Sequence, residues 1–463
     1  VWQALMQRGQ AKRTLVITPA GLTTQWQEEF QDKFGVTFEI FGRDFWAVNP
    51  RVWDLKATAI ASIDTMKRKE HKRVLLENRK WDVIIFDEAH RLSALDYGSG
   101  KVQKTQNYRL AEEIRDKQYC EALLLLTATP HQGESNHSRF KNLLSLLEDD
   151  IDFSALEEMG LFAGNGTKFT DLVIRTPKKD VTDAHGHKVF KGRQTHRLLV
   201  TMYADEGRFY KAVTEYIRDG YQMLERVTDP TRRRAAGFLL TTFQKLNASS
   251  TAAIRGALST RLSRLKGELC NIADSPHYDR EDQFFDERYE GEYDERTVFQ
   301  DDKTILKGEI DAIQTLLAMP VKRDKKLGEL LKLIEYITSV GPGGEHEKVL
   351  IFTEYRQTQR HLVQELEAKY GNGCVVVIHG DMKLERREED EQPIDAVWDP
   401  FRKYGALTAP TTKRTSQRLF RDHENVRFLV STEAGGEGVN LQFCHICVNY
   451  DLPWNPMRVE QRV

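Results

Sequence analysis

The stretch WDVIIFDEAHRL at 81–92 constrains this chain more than any other. Val83, Ile84, Ile85 and Phe86 form an uncharged run that stops at two adjacent carboxylates, Asp87 and Glu88. Such a run suits a strand buried on both faces of a parallel sheet. In open α/β sheets ligands bind beyond the carboxyl ends of the strands. Asp87 and Glu88 would stand there, one acid able to hold a hard cation and the other to act as a general base. The plainer alternative is that D-E-A-H only caps a helix after the strand.

Neighbouring stretches repeat the pattern. RTLVITPAGLTTQWQEEF at 13–30 reads as a strand through Leu15, Val16 and Ile17, ended by Thr18-Pro19. A helix follows, capped by Thr23 or Thr24, with Trp26 and Phe30 on one face. ATAIASIDTMKR at 57–68 reads as a strand and a helix, and EALLLLTATPHQG as a strand from Leu123 to Leu126 followed by Thr127-Ala128-Thr129. Strand–helix alternation implies a doubly wound parallel sheet. Strand ends rich in hydroxyls and acids would then line one rim. Hydroxyls also end strands for no functional reason, but three coincidences favour the site.

The texture changes near Asp180. QTHRLLVTMYADEGRFYKAVTEYIRDGY predicts a strand and then a helix with Phe209, Ala212, Val213, Tyr216 and Ile217 on one face. Residues 231–266 read as basic and helical, with Arg232, Arg233, Arg234, Lys245, Arg255, Arg261, Arg264 and Lys266 and no acid among them. They form either a solvated face or a contact for phosphates. The acidic stretch 279–302 reads as a surface connection. A second α/β unit follows: KVLIFTEY, VVVIHGDM and VRFLVSTEAGGEGVNLQ each give a strand, the last running into a turn with Gly435, Gly436 and Gly438. The stretch 388–416 interrupts this pattern and reads as a loop insertion. The expected organisation is a first lobe at 1–177, a helical protrusion and linker at 178–325, and a second lobe at 326–463.

Bulk properties exclude several classes. No apolar run approaches the roughly 18 residues of a membrane helix, and no signal peptide is visible, so a cytoplasmic protein without a membrane partner is expected. Five cysteines in 463 residues do not make a disulfide framework. Cys444 and Cys447 form a lone CxxC in an apolar segment, read as structural. A net charge of −2 rules out a uniformly basic nucleic-acid binder but leaves room for a local basic track. The chain has no initiator Met and stops at Gln461-Arg462-Val463, and is read as a piece of a longer protein.

The ordered set TLVITPAGLTTQW, ASIDTMKR, VIIFDEAH, LLLTATPHQG, KVLIFTEY, VVVIHGDM, FLVSTEAGGEGVNL and RVEQR resembles a superfamily 2 helicase-type ATPase. More narrowly, it is similar to the Swi/Snf branch of double-stranded DNA translocases. The middle region resembles bacterial RapA-like members that recycle RNA polymerase and helicase subunits of DISARM-type phage-defence complexes. The resemblance implies two RecA-like lobes with a helical insertion between them, ATP and Mg²⁺ as cofactors, and double-stranded DNA as partner. Asp87 is implied to hold the metal, usually through water, Glu88 to activate the attacking water, and His90 to link the nucleotide site to the other lobe. Thr127, Ala128 and Thr129 fall in the coupling motif. Thr18, Pro19, Ser62, Thr353, His379, Gly380, Ser431 and Thr432 fall in motifs that grip one DNA strand. Gly436 and Gly438 would let the second lobe close on nucleotide, and Gln461 and Arg462 begin the nucleotide-binding motif QRxGRxxR.

Two departures matter. The resemblance implies a GxGKT-like phosphate loop before the Arg13 strand, and no such GxGKS or GxGKT loop is found there; the QRxGRxxR motif is incomplete. The expectation is therefore an ATPase whose residues 1–463 do not turn over ATP alone. The rivals to a translocase are a strand-separating helicase or restriction-type motor and a non-hydrolysing scaffold. The intact Asp87-Glu88 pair speaks against the scaffold.

Overall fold

A computed structural model describes residues 1–42, 52–77, 80–96, 102–129, 137–148, 151–154, 172–174, 176, 180–190, 192–224, 230–269, 303–341, 344–382, 392–409, 411–432, 439, 441, 443–453 and 459. Gly435, Gly436, Gly438, Gln461, Arg462 and the acidic stretch 279–302 lie outside them. The chain divides into one compact unit of residues 1–196 with 455–463 and another of residues 197–454.

The first unit is built on β1 (Thr14–Thr18), β2 (Glu39–Ile40), β3 (Thr58–Ser62) and β4 (Trp81–Phe86). A hairpin of β5 (Ala94–Asp96) and β6 (Val102–Lys104) precedes β7 (Cys120–Leu125). The sheet order is β2-β3-β1-β4-β7, every pairing parallel. Alternate residues of the apolar runs feed two cores. Leu15, Ile17, Ile84 and Phe86 join one cluster, whereas Val16, Ile60, Val83 and Ile85 join the other. A strand covered on both faces needs apolar residues at every position, which is why β4 has no polar alternation. Arg13 fixes where β1 begins: its guanidinium donates to the carbonyls of Lys56, Lys80 and Trp53 and lies over the Trp81 ring.

Two local expectations change here. The helix Thr23–Phe34 follows a 3₁₀ turn, Ala20–Leu22, and has no side-chain cap. The Thr23 hydroxyl instead donates to the Ala20 carbonyl. β7 begins at Cys120, because the backbone pairs Trp81 with Cys120 and carries the ladder three residues upstream of the all-leucine run.

The second unit holds β8 (Val349–Thr353), β9 (Val375–Ile378), β10 (Phe428–Thr432) and β11 (Cys447–Asn449) in the order β11-β8-β10-β9, again parallel. The helices Ala204–Leu224, Pro230–Ser249, Thr251–Leu269 and Lys303–Ala318 carry a separate apolar core, with Phe209, Val213 and Ile217 on the expected face. The strand expected before Ala204 does not form. Residues 192–203 have no sheet partner among the described residues, and Leu198 and Leu199 are exposed. An apolar, β-prone run becomes a strand only where an edge is open to it.

The loop expected at 388–416 is also corrected. It carries the helices Ile394–Tyr404 and Lys413–Asp422. Val397, Phe401, Leu419 and Phe420 drive their inner faces into the sheet's core. Pro400 and the cluster Thr411-Thr412 mimic loop chemistry in the sequence. Yet Thr412 accepts from the Thr415 amide and so caps the second helix. No helix among the described residues is long and apolar enough to cross a membrane.

Candidate active site and strand-end rims

In the first unit the strand ends do meet. Thr18 stands opposite Ser62, and Phe86, one residue before Asp87, opposite both Ile17 and Leu125. Asp87 is locked on both oxygens. Thr18 Oγ1 donates to Oδ2 at 3.1 Å, the Trp26 indole Nε1 donates to the same oxygen at 2.7 Å, and the Glu88 amide donates to Oδ1 at 2.8 Å. A carboxylate has about four acceptor positions, and among the described residues one on Oδ1 has no donor. That fits a hard cation held through a water, the usual manner of magnesium beside phosphates.

Glu88 adopts a left-handed backbone, φ 49°, uncommon for a residue with a side chain. It precedes the 3₁₀ turn Ala89–Arg91 but makes no side-chain cap. Its carboxylate turns to His90, whose Nδ1 lies 3.0 Å from Glu88 Oε2. The plain capping role of D-E-A-H is therefore not what this geometry shows. The His90 hydrogen bond holds the Glu88 carboxyl below its ordinary value, with the charges of His90 and Arg91 adding and burial opposing. Glu88 is thus an ionised acceptor, as a base must be. The same His90 Nδ1 lies 3.2 Å from Thr127 Oγ1, which accepts the Thr129 amide at 3.1 Å. Glu88, His90, Thr127 and Thr129 form one chain of contacts across the rim. Ala128, between them, is exposed.

The remaining first-unit residues are less accessible than the sequence suggests. Thr18 is fully buried, and Ser62 accepts the Thr65 amide and sits beside the Thr65 hydroxyl. Pro19 is half-buried.

The second unit has its own rim. Thr432 stands opposite Thr353, and Ser431 opposite Ile378, which His379 follows. Thr353 and Ser431 are fully buried, Thr432 nearly so, and the Ser431 hydroxyl donates to the Thr432 carbonyl. His379 is half-buried, with Gly380 beside it. Burial and the nearby Arg356 guanidinium push His379 down to about 4, so it is a neutral ring accepting from Arg356 at 3.3 Å.

Two residues central to this rim were not singled out from sequence. Gln359 donates to the carbonyls of Ile378 and Val430 and ties β9 to β10. Asp451 collects donors from several elements, among them Ser249 Oγ at 2.7 Å, Thr353 Oγ1 at 2.5 Å, the Glu354 amide at 3.2 Å and Lys326 Nζ at 2.7 Å. The YDLP stretch was visible, but a lone acid after a strand carries no signal of its donors. The sequence places Trp26 on one helical face with Phe30 and within the motif TLVITPAGLTTQW, but its bond to Asp87 depends on chain folding over 61 residues of separation. Cys444 is half-buried and donates to the carbonyls of Lys348 and Ile446, a structural use of the CxxC stretch.

Comparisons with known proteins bear on this geometry. Residues 1–132 match the family described as type III restriction enzyme, res subunit, and residues 400–463 match the helicase conserved C-terminal domain. An uncharacterized ATP-dependent helicase, YqhH of Bacillus subtilis, is 30% identical over 99% of this chain and 64% of its own length. The RNA polymerase-associated protein RapA of Serratia proteamaculans is 21% identical over 98% of this chain and 41% of its own length. The Sulfolobus solfataricus SWI2/SNF2 ATPase core in complex with dsDNA is 15% identical, covering 100% of this chain and 76% of that one, with a TM-score of 0.32. The Pyrococcus furiosus Hef helicase domain is 14% identical, covering 100% of this chain and 91% of that one, with a TM-score of 0.46. Over nearly all of its length the chain is thus similar to an ATP-dependent helicase and to RapA proteins, with helicase-type family matches in both its first and its last part. It spans under two thirds of the length of the curated relatives it matches.

Proposed function

We propose that the protein is an ATP-dependent translocase on double-stranded DNA. The contact chain from Asp87 through Glu88 and His90 to Thr127 carries the reading. It joins a cation-holding acid and an ionised base to a strand end that can respond to them. Bound magnesium–ATP would supply the phosphoryl group and neutralise its charge. Asp87 would receive the metal-bound water on its open Oδ1 position. Glu88 would orient the attacking water and take its proton, with His90 steadying the carboxylate. Thr127 and Thr129 would pass changes at His90 along the rim.

For DNA we infer that the buried hydroxyls of Thr18, Ser62, Thr353 and Ser431 shape the rims. Contact with phosphates then falls to backbone amides such as that of Gly380 and to the half-buried His379, with Pro19 shaping the turn beside them, which suits sequence-blind binding. Thr432, nearly as buried, belongs with the rim-shaping hydroxyls. Association with RNA polymerase is proposed by likeness to the RapA proteins, and a cytoplasmic site follows from such partners.

In the intact protein, Glu88→Gln should abolish ATP hydrolysis and spare nucleotide binding. Unchanged turnover would refute the role of Glu88. Triplex displacement without strand displacement would separate a translocase from a strand-separating helicase.

A further inference from the structure

We propose that Trp26 is a positioning residue for the metal-holding acid, acting through its indole N–H on Asp87; this rests on the reading of Asp87 given above. The bond is the shortest of the three on that carboxylate, 2.7 Å against 3.1 Å from Thr18 and 2.8 Å from the Glu88 amide. A neutral donor on an ionised acceptor is among the stronger hydrogen bonds in proteins.

The donor itself is fixed. Trp26 sits on the helix Thr23–Phe34, and its ring lies 5.4 Å from Phe30. Phe30 stacks on Phe38 at 4.0 Å and 13° and meets the edge of Trp2 at 4.8 Å. Trp2, Phe30 and Phe38 belong to the buried core under one face of the sheet. The indole is thus held by a rigid aromatic stack and aimed at a strand end.

The consequence lies in the torsions of Asp87. Trp26 and Thr18 share Oδ2, and the Glu88 amide takes a place on Oδ1. Together they set the plane of the carboxylate and the direction of the Oδ1 acceptor position that no described residue fills. Without the indole donor, Thr18 and the amide still hold the group, but the carboxylate gains freedom about its last torsion. A tryptophan kept only for packing would bear loss of its N–H with no effect on metal.

The test uses the intact protein with a fluorescent ATP analogue. The readout is the Mg²⁺ concentration that gives half-maximal tightening of nucleotide binding, measured beside Mg²⁺-free affinity and thermal melting. Trp26→Phe is compared with 3-benzothienylalanine at the same position, which keeps the bicyclic shape and lacks the N–H. Both are expected to raise half-saturating Mg²⁺ by about tenfold, the scale of one hydrogen bond to a charged group, and to leave Mg²⁺-free affinity unchanged. An unchanged Mg²⁺ requirement in the benzothienyl protein would overturn the proposal, even if Trp26→Phe melts early. Asp87→Asn separates the two readings. If it raises the Mg²⁺ requirement and the Trp26 variants do not, only the role of Trp26 fails. If it too has no effect, the reading of Asp87 fails with it.

Discussion

Residue chemistry at the rims was legible where it depends on the end of a strand and hidden where it depends on a distant partner. Asp87 and Glu88 follow an apolar run, so their position was readable. The left-handed backbone of Glu88, which turns its carboxylate toward His90, was not. His379 is a similar case. It follows β9 as expected, but only packing shows that it is a neutral ring. Its native value near 4 lies below the ordinary 6.5 because burial and Arg356 disfavour the cation. As pH falls through that window the unfolded chain takes up the proton first, so stability falls. His379→Gln should flatten the acid limb of unfolding free energy between pH 6.5 and about 4. An unchanged slope in chemical denaturation across that range would rule out this linkage.

At the level of elements, periodicity forecast the helices and the two sheets, and failed at their joints. The basic run at 231–266 shows why. Arg261 is buried, its guanidinium paired with Glu309, which also accepts from Tyr216. Arg255 donates to the carbonyls of Leu317 and Met319 and lies over Phe209. Arg233 and Arg234 are exposed. One composition thus holds both structural and solvent-facing cations. Arg261→Met should cost about 3 kcal/mol, since it strands a buried carboxylate, and should leave the salt slope of DNA binding unchanged. A shallower slope would return Arg261 to the phosphate track. Asp451 is the other joint. It ties the helix Pro230–Ser249 to β8 and to the helix Lys325–Val340. Asp451→Ala should cost about 3 kcal/mol or more in urea unfolding, because buried hydroxyls and Lys326 lose their acceptor together. A loss under about 1 kcal/mol would show that other contacts hold the joint.

Over the whole molecule, the sequence contains no complete GxGKS or GxGKT phosphate loop; Gly98-Ser99-Gly100-Lys101 runs into Val102 and lies after the DEAH stretch, not before β1. Residues 1–463 alone should show no DNA-stimulated ATP hydrolysis, and turnover above background in a phosphate-release assay would sink that expectation. By itself the sequence determined two parallel sheets, the acids at the end of one strand and the family motifs in order. Each of these is set by local apolar runs and the polar residues that stop them. Tertiary structure alone decided that Thr18, Thr353 and Ser431 are buried, that 388–416 includes two packed helices, and that Trp26 and Asp451 are central. Those features arise where elements far apart in the chain meet, and hydrogen-bond partners across such distances leave no periodic trace. Asp87 was therefore visible as an acid at a strand end, while the indole that orients it was visible only in the fold.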